Sequence, residues 1–233
     1  MQDISKNRVL FPIGAKLVII ISILLLVSLG AVTFIVSVLS TQDVQRTAED
    51  NNYTVNRRAG SQAEGSFKSI QASVLLYLEM LEKSSFGRDS EMEMQRFFFN
   101  HNENIAAIGV EAARNALYTN EKFFQSHDIQ LETVRAYFAE DLKSIYGNMR
   151  IYNASPYFLK TLLTAVFIRE GKNGQETVKV LFFPDDLSES FGTGTNTSFL
   201  ISDAADVLLH PDLDFVLGGA NFSNNPIVGI MQK

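Results

Sequence analysis

The chain has 233 residues, with 26 acidic against 20 basic side chains, a formal net charge of -6 and 46% apolar residues. Without cysteine it has no disulfide, no thiolate zinc site and no cysteine nucleophile, and the redox compartment stays open. Its basic residues are scattered rather than clustered, which excludes nucleic acid as a partner because phosphate binding needs grouped Lys and Arg.

Chain order begins with an apolar run, Leu17 to Leu39, that carries no charge. As a helix its roughly 23 residues reach about 34 Å, enough to cross a hydrocarbon core of about 30 Å. Lys6, Arg8 and Lys16 precede the run, and Asp43, Arg46, Glu49 and Asp50 follow it. Basic residues stay on the cytoplasmic side, so residues 1–16 read as a cytoplasmic stub, 17–39 as a transmembrane helix and the remainder as exported. The competing reading is a cleaved signal peptide. Such peptides have an apolar core of about 7 to 15 residues and a small-x-small cleavage site, and Val38-Leu39-Ser40 fits poorly.

Residues 40–83 contain no proline. Val44, Ala48, Val55, Ala59, Ala63, Phe67, Ile70, Val74, Leu78 and Leu81 recur in steps of three, four and seven, which predicts a long stalk helix buried over Ile70 to Leu81. Gly60, Gly65 and the Asp50-Asn51-Asn52 patch argue against continuity. A stalk paired with its twin in a homodimer and a helix packed on its own domain both fit, since the heptad positions are too polar to establish a coiled coil.

Residues 84–233 read as one folded domain. Ser90 with Glu93 is a capping-box signature that opens a short helix through Phe99, and Ile105 to Val110 reads as a buried strand. Asn115 to His127 reads as a loop or short hairpin. Asp128 serves as an N-cap for an amphipathic helix marked by Leu131, Val134, Phe138, Leu142 and Ile145 and ended at Gly147. The period then changes to that of strands: Arg150 to Ser155, and Thr164 to Arg169 joined to Thr177 to Phe183 across Gly171 to Gly174. Pro184-Asp185-Asp186 starts a helical turn, Gly192 to Asn196 is loop, and Ser198 to Ser202 with Val207 to His210 forms a hairpin. The expected fold is α+β, with helices covering an antiparallel meander.

Several of these segments form an ordered set. Arg150-Ile-Tyr-Asn-Ala-Ser-Pro-Tyr157, the stretch ending Val-Leu-Phe-Phe-Pro-Asp-Asp-Leu187, Phe199-Leu-Ile-Ser-Asp203 leading into Val207-Leu-Leu-His-Pro-Asp212, and the ending from Val216 to Pro226 and Val228-Gly-Ile-Met231 together resemble the Cache family. These are PAS-like extracytoplasmic sensor domains of bacterial chemoreceptors, sensor kinases and membrane nucleotide cyclases. Ile13-Gly-Ala-Lys-Leu17 before the apolar run is similar to the start of chemoreceptors and of Cache-bearing cyclases. Two departures stand out. Asp206 occupies a turn position where the family commonly has glycine, and the family's Tyr, Arg, Trp and Asp amino-acid signature is not recognisable, with Trp missing altogether. The resemblance implies a second span and a cytoplasmic output domain, so the chain is expected to be the N-terminal fragment of a longer protein of the inner (plasma) membrane, with its sensor domain periplasmic or extracellular. An adenylate or guanylate cyclase is the expected output and a methyl-accepting chemotaxis protein the alternative.

In that fold class a ligand pocket lies between the sheet face and the loops over it. The candidates are Arg150, Tyr152, Asn153 and Tyr157, with Asp203 on the facing strand and Tyr118 in the overlying loop. Arginine pairs with a carboxylate and aspartate takes an ammonium, so the group suits an amino acid or organic acid. His101, His127 and His210 lack zinc-ligand spacing, and Asp185, Asp186, Asp203, Asp206, Asp212 and Asp214 match no calcium loop. Gly192-Thr-Gly-Thr lacks the Lys of a phosphate loop, and no catalytic constellation and no cofactor motif is visible. Sequons at Asn52, Asn153, Asn196 and Asn221 matter only in a eukaryotic secretory pathway. A single-pass anchored interaction module without a small-molecule ligand is the rival class; it calls for an exposed apolar patch instead of a pocket.

Overall fold

A computed structural model describes residues 12–83, 88–111, 115–142, 149–172, 174–188, 191 and 198–231. The first element, α1, is a single helix from Ile13 to Lys83. It passes through Gly60 and Gly65 without a break, because the apolar stripe from Ala59 to Leu78 gains more from burial than two glycines cost, about 1 kcal/mol each. The chain divides into two compact units, Met1–Thr54 and Val55–Lys233. In the first, the side chains of the Leu17 to Leu39 run are exposed, and this stretch is long and apolar enough to cross a membrane.

In the second unit the elements after α1 run α2 (Arg88–His101), β1 (Ile105–Glu111), β2 (Ala116–Thr119), α3 (Glu121–His127), α4 (Leu131–Phe138), β3 (Arg150–Asn153), α5 (Ser155–Phe158), β4 (Leu163–Gly171), β5 (Gly174–Phe182), α6 (Asp185–Ser188), β6 (Leu200–Ile201), β7 (Val207–Leu209), α7 (Leu213–Leu217) and α8 (Pro226–Met231). The protein is α+β. Five strands form one antiparallel sheet in the order β2-β1-β5-β4-β3, and β6 pairs with β7. The β4–β5 hairpin closes at the pair Gly171↔Gly174, where the sequence places its Asn-Gly turn, and Gly174 takes φ +112°.

Strand alternation gives the sheet two buried faces. Ile108, Val110, Ala165, Phe167, Val178, Val180 and Phe182 face α1, where Phe67 meets Phe182 edge-on at 6.0 Å and Val74 and Leu78 are buried. Ala107 and Leu181 face the opposite way, into a cluster with Phe123, Phe124, Val134, Tyr137, Phe138 and Phe158. Each large apolar side chain so buried contributes about 1.5–3 kcal/mol. At the far end of α1, Arg169 of β4 bonds both Glu176 of β5, at 2.9 Å from Nε, and Glu82 of α1. A Cβ on Gly171 would collide with the Glu176 carboxylate.

Three expectations need correction. Asn115 to His127, expected as a loop or short hairpin, holds a strand and a helix: Ala116 to Thr119 pairs antiparallel with β1 as an edge strand, and the Asn120 side chain caps α3 by accepting from the Phe123 amide at 3.2 Å. Asp128 is not the N-cap of the next helix. It ends α3 in the left-handed region, φ 49°, and Gln130 precedes α4, which stops at Phe138; the expected stop at Gly147 lies outside the described residues. The capping-box reading fails as well, since α2 starts at Arg88 and places Ser90 inside the helix. The Gly192 to Asn196 loop also lies outside the described residues.

Candidate functional site

Arg150 opens β3 at the sheet edge, and its guanidinium meets the Asp203 carboxylate at 3.1 Å. Asp203 lies in the turn between β6 and β7, so the pair ties that hairpin to the sheet edge. The Arg150 Nε is buried with no hydrogen-bond partner. Asn153, at the other end of β3, donates from Nδ2 to the carbonyls of Val207 (2.9 Å) and Val216 (2.7 Å), and its Oδ1 accepts from the Ser155 amide at 2.9 Å. Both amide hydrogens therefore hold β7 and α7 against β3, while the carbonyl oxygen fixes the local turn into α5.

Of the remaining candidates, Tyr118 and Tyr157 stand on other elements. Tyr118 stands on β2, the opposite edge strand, four strand spacings or about 19 Å away. It packs edge-on against Tyr77 of α1 at 5.6 Å, so it belongs to the α1 side of the sheet, and its placement in a loop over the pocket is corrected. Burial raises its phenol pKa. Tyr157 lies on α5 with its ring on Tyr137 at 5.1 Å, partly exposed. Tyr152 sits two residues beyond Arg150 on the same strand, hence on the same face by alternation. In the β6–β7 turn the left-handed residue is Ala205 (φ 65°), and Asp206 instead accepts from Asn221 Nδ2 at 2.7 Å. Asp212 N-caps α7 by accepting from the Asp214 amide.

Another cleft holds chemistry that the sequence reading passed over. Its volume is about 370 Å³, and it opens between α4 and the β1–β2 edge, with Glu111, Asn115, Leu117, Arg135, Phe138 and Lys179 among its walls. Lys179 is in β5, between Val178 and Val180, and is only 1% exposed. Its neighbours across the ladder are Gly109 and Val166. Its ammonium donates to the carbonyls of Phe138 (2.9 Å) and Glu140 (2.7 Å) and pairs with the Glu111 carboxylate. Gly109 gives the space for this arrangement, since a Cβ there would stand 3.0 Å from the Phe138 ring. The available signal was a lone lysine within Thr177-Val-Lys-Val-Leu-Phe-Phe183, a charge where a central strand otherwise demands apolar residues.

The geometry thus combines a fixed, buried cation with an adjoining cleft on the sheet face away from α1. Beneath α4 the Tyr137 hydroxyl shares a hydrogen bond of 2.9 Å with Thr164. Burial pushes its pKa up to about 12, although that bond lowers it. Among the described residues no group of three or more His, Cys, Asp or Glu side chains is placed to hold a metal ion. No family model and no curated protein matches the chain. The class that the structure itself defines is an α+β domain with a five-stranded antiparallel sheet, in a chain whose N-terminal helix carries a stretch able to span a bilayer.

Proposed function

We propose that this chain is the membrane-anchored, extracytoplasmic ligand-sensing portion of a bacterial signal-transduction receptor of the Cache type, feeding a cytoplasmic nucleotide cyclase. A methyl-accepting chemotaxis output is the alternative within the same class. The observation that carries the reading is α1, one helix that contains both the apolar Leu17 to Leu39 run and the residues, Ala59 to Leu78, packed on the sheet. A ligand that favours one packing of the sheet against α1 shifts that helix, and a homodimer through α1 would pass the shift to the span as a small displacement. The excess of Lys6, Arg8 and Lys16 before the run supports export of the domain. A docking module is the second reading. It draws on the exposed side chains of Leu159, Leu213 and Ile227.

The absence of cysteine makes the topology directly testable. In intact cells a membrane-impermeant maleimide should label Asn224→Cys, on the exposed surface of the second unit, and leave Lys6→Cys unlabelled. Labelling in the reverse sense would refute the receptor. A thermal-shift screen of the full chain in detergent with amino acids, organic acids and polyamines then separates sensor from docking module, because a ligand that binds only the folded state raises Tm by mass action.

A further inference from the structure

We propose that the cleft between α4 and the β1–β2 edge is a carboxylate-binding site that Glu111 occupies from within the chain, so that a small organic acid binds by displacing Glu111 from Lys179. This rests on the receptor reading for its biological meaning, while its chemistry is independent of topology. The Lys179 ammonium is held on two sides by main-chain carbonyls at the end of α4, at 2.9 and 2.7 Å, which are neutral and fixed. Its third partner, the Glu111 carboxylate, supplies the negative charge. The two members of that ion pair differ sharply in setting: the lysine side chain is 1% exposed and the glutamate side chain 43%. The cation cannot leave without abandoning a buried charge, whereas the anion sits on a flexible side chain at the water boundary. An external carboxylate entering the cleft meets the same ammonium in the same desolvated position, where such charge-assisted bonds are strong.

The cleft itself has the character of a receiving site. Its volume, about 370 Å³, lies within the range of small-molecule pockets, about 300–1,000 Å³. Leu117, Phe138 and Ala139 give an apolar wall, and Arg135, an exposed residue, adds a second cation to the lining. With Glu111 turned outward, the lining holds two positive charges and no carboxylate among its described residues. Glu111 would therefore set a threshold: the resident carboxylate competes with the incoming one, and affinity is reduced by the fraction of time the site is internally filled.

The test uses the full 233-residue chain in detergent micelles, with thermal unfolding followed by the near-ultraviolet tyrosine signal, and sodium acetate compared with sodium chloride at equal ionic strength. Glu111→Ala and the milder Glu111→Gln both leave Lys179 without its anion, so each should melt below the parent chain. Acetate at ten times its dissociation constant should raise Tm of either variant by about 3–6 °C over chloride. The parent chain should respond less, because Glu111 competes. The double variant Glu111→Gln with Lys179→Met replaces the ion pair with neutral groups and should lose the acetate response. Equal shifts from acetate and chloride in the folded Glu111 variants would overturn the proposal, as would an acetate effect that survives Lys179→Met. Maleimide labelling in the wrong sense would remove the receptor reading and leave the acetate result standing.

Discussion

Replacing Arg169 with methionine tests how α1 is fastened to the sheet. The Arg169 side chain is 9% exposed and bonds Glu176, itself 10% exposed, and Glu82 of α1. Methionine keeps most of the apolar stem but leaves two carboxylates beside each other, one of them buried. Removing one partner of a buried ion pair costs about 3–5 kcal/mol, because the remaining charge is stranded. In a unit of this size that lowers Tm by about 6–20 °C. Urea unfolding at neutral pH measures this, with the tyrosine signal as readout because Tyr77 and Tyr118 pack together in the α1-facing core and the chain has no tryptophan. A deficit under about 1 kcal/mol would refute the argument that Arg169 neutralises a buried carboxylate.

Two further outcomes follow from the same geometry. Asn153→Ala removes three hydrogen bonds and leaves the Val207 and Val216 carbonyls without that donor, so it should cost about 2–3 kcal/mol and speed amide exchange across β7 and α7 while β1 and β5 stay protected; uniform loss of protection would contradict this. The phenol of Tyr137, pushed up to about 12 by burial, stays neutral in the fold while the unfolded chain ionises near 10, so stability should fall as pH rises between about 10 and 12. Tyr137→Phe should make that alkaline limb less steep in urea melts, the buried Tyr77 and Tyr118 phenols keeping the remainder, and an unchanged slope would count against it.

Local physics was enough for much of this. The uncharged run of apolar residues Leu17 to Leu39 reads as a helix of bilayer length, and α1 carries it as one. The spacing Ile70, Val74, Leu78 reads as a buried helix face and is one, although burial begins earlier than expected, at Ala59. The Asn-Gly signal between Gly171 and Gly174 is a hairpin because only a few residue types allow positive φ. The short elements were not legible. Ala116 to Thr119 becomes a strand because β1 offers it a ladder, and Ser90 is no cap because it lies inside α2.

The candidate site shows the same division. Arg150 and Asp203 read in the sequence as members of a ligand pocket; in the structure their side chains meet each other at 3.1 Å, Asp203 from the β6–β7 turn. Tyr118 separated from them through strand order, which no local pattern encodes: its neighbour in sequence is β1, and three strands intervene before β3. Lys179 shows the gap most plainly. Sequence alone identifies a lysine in an apolar strand. Only the tertiary structure brings the end of α4 and the carboxylate of Glu111 to its ammonium, since a buried charge is tolerated where separate segments of chain converge to solvate it.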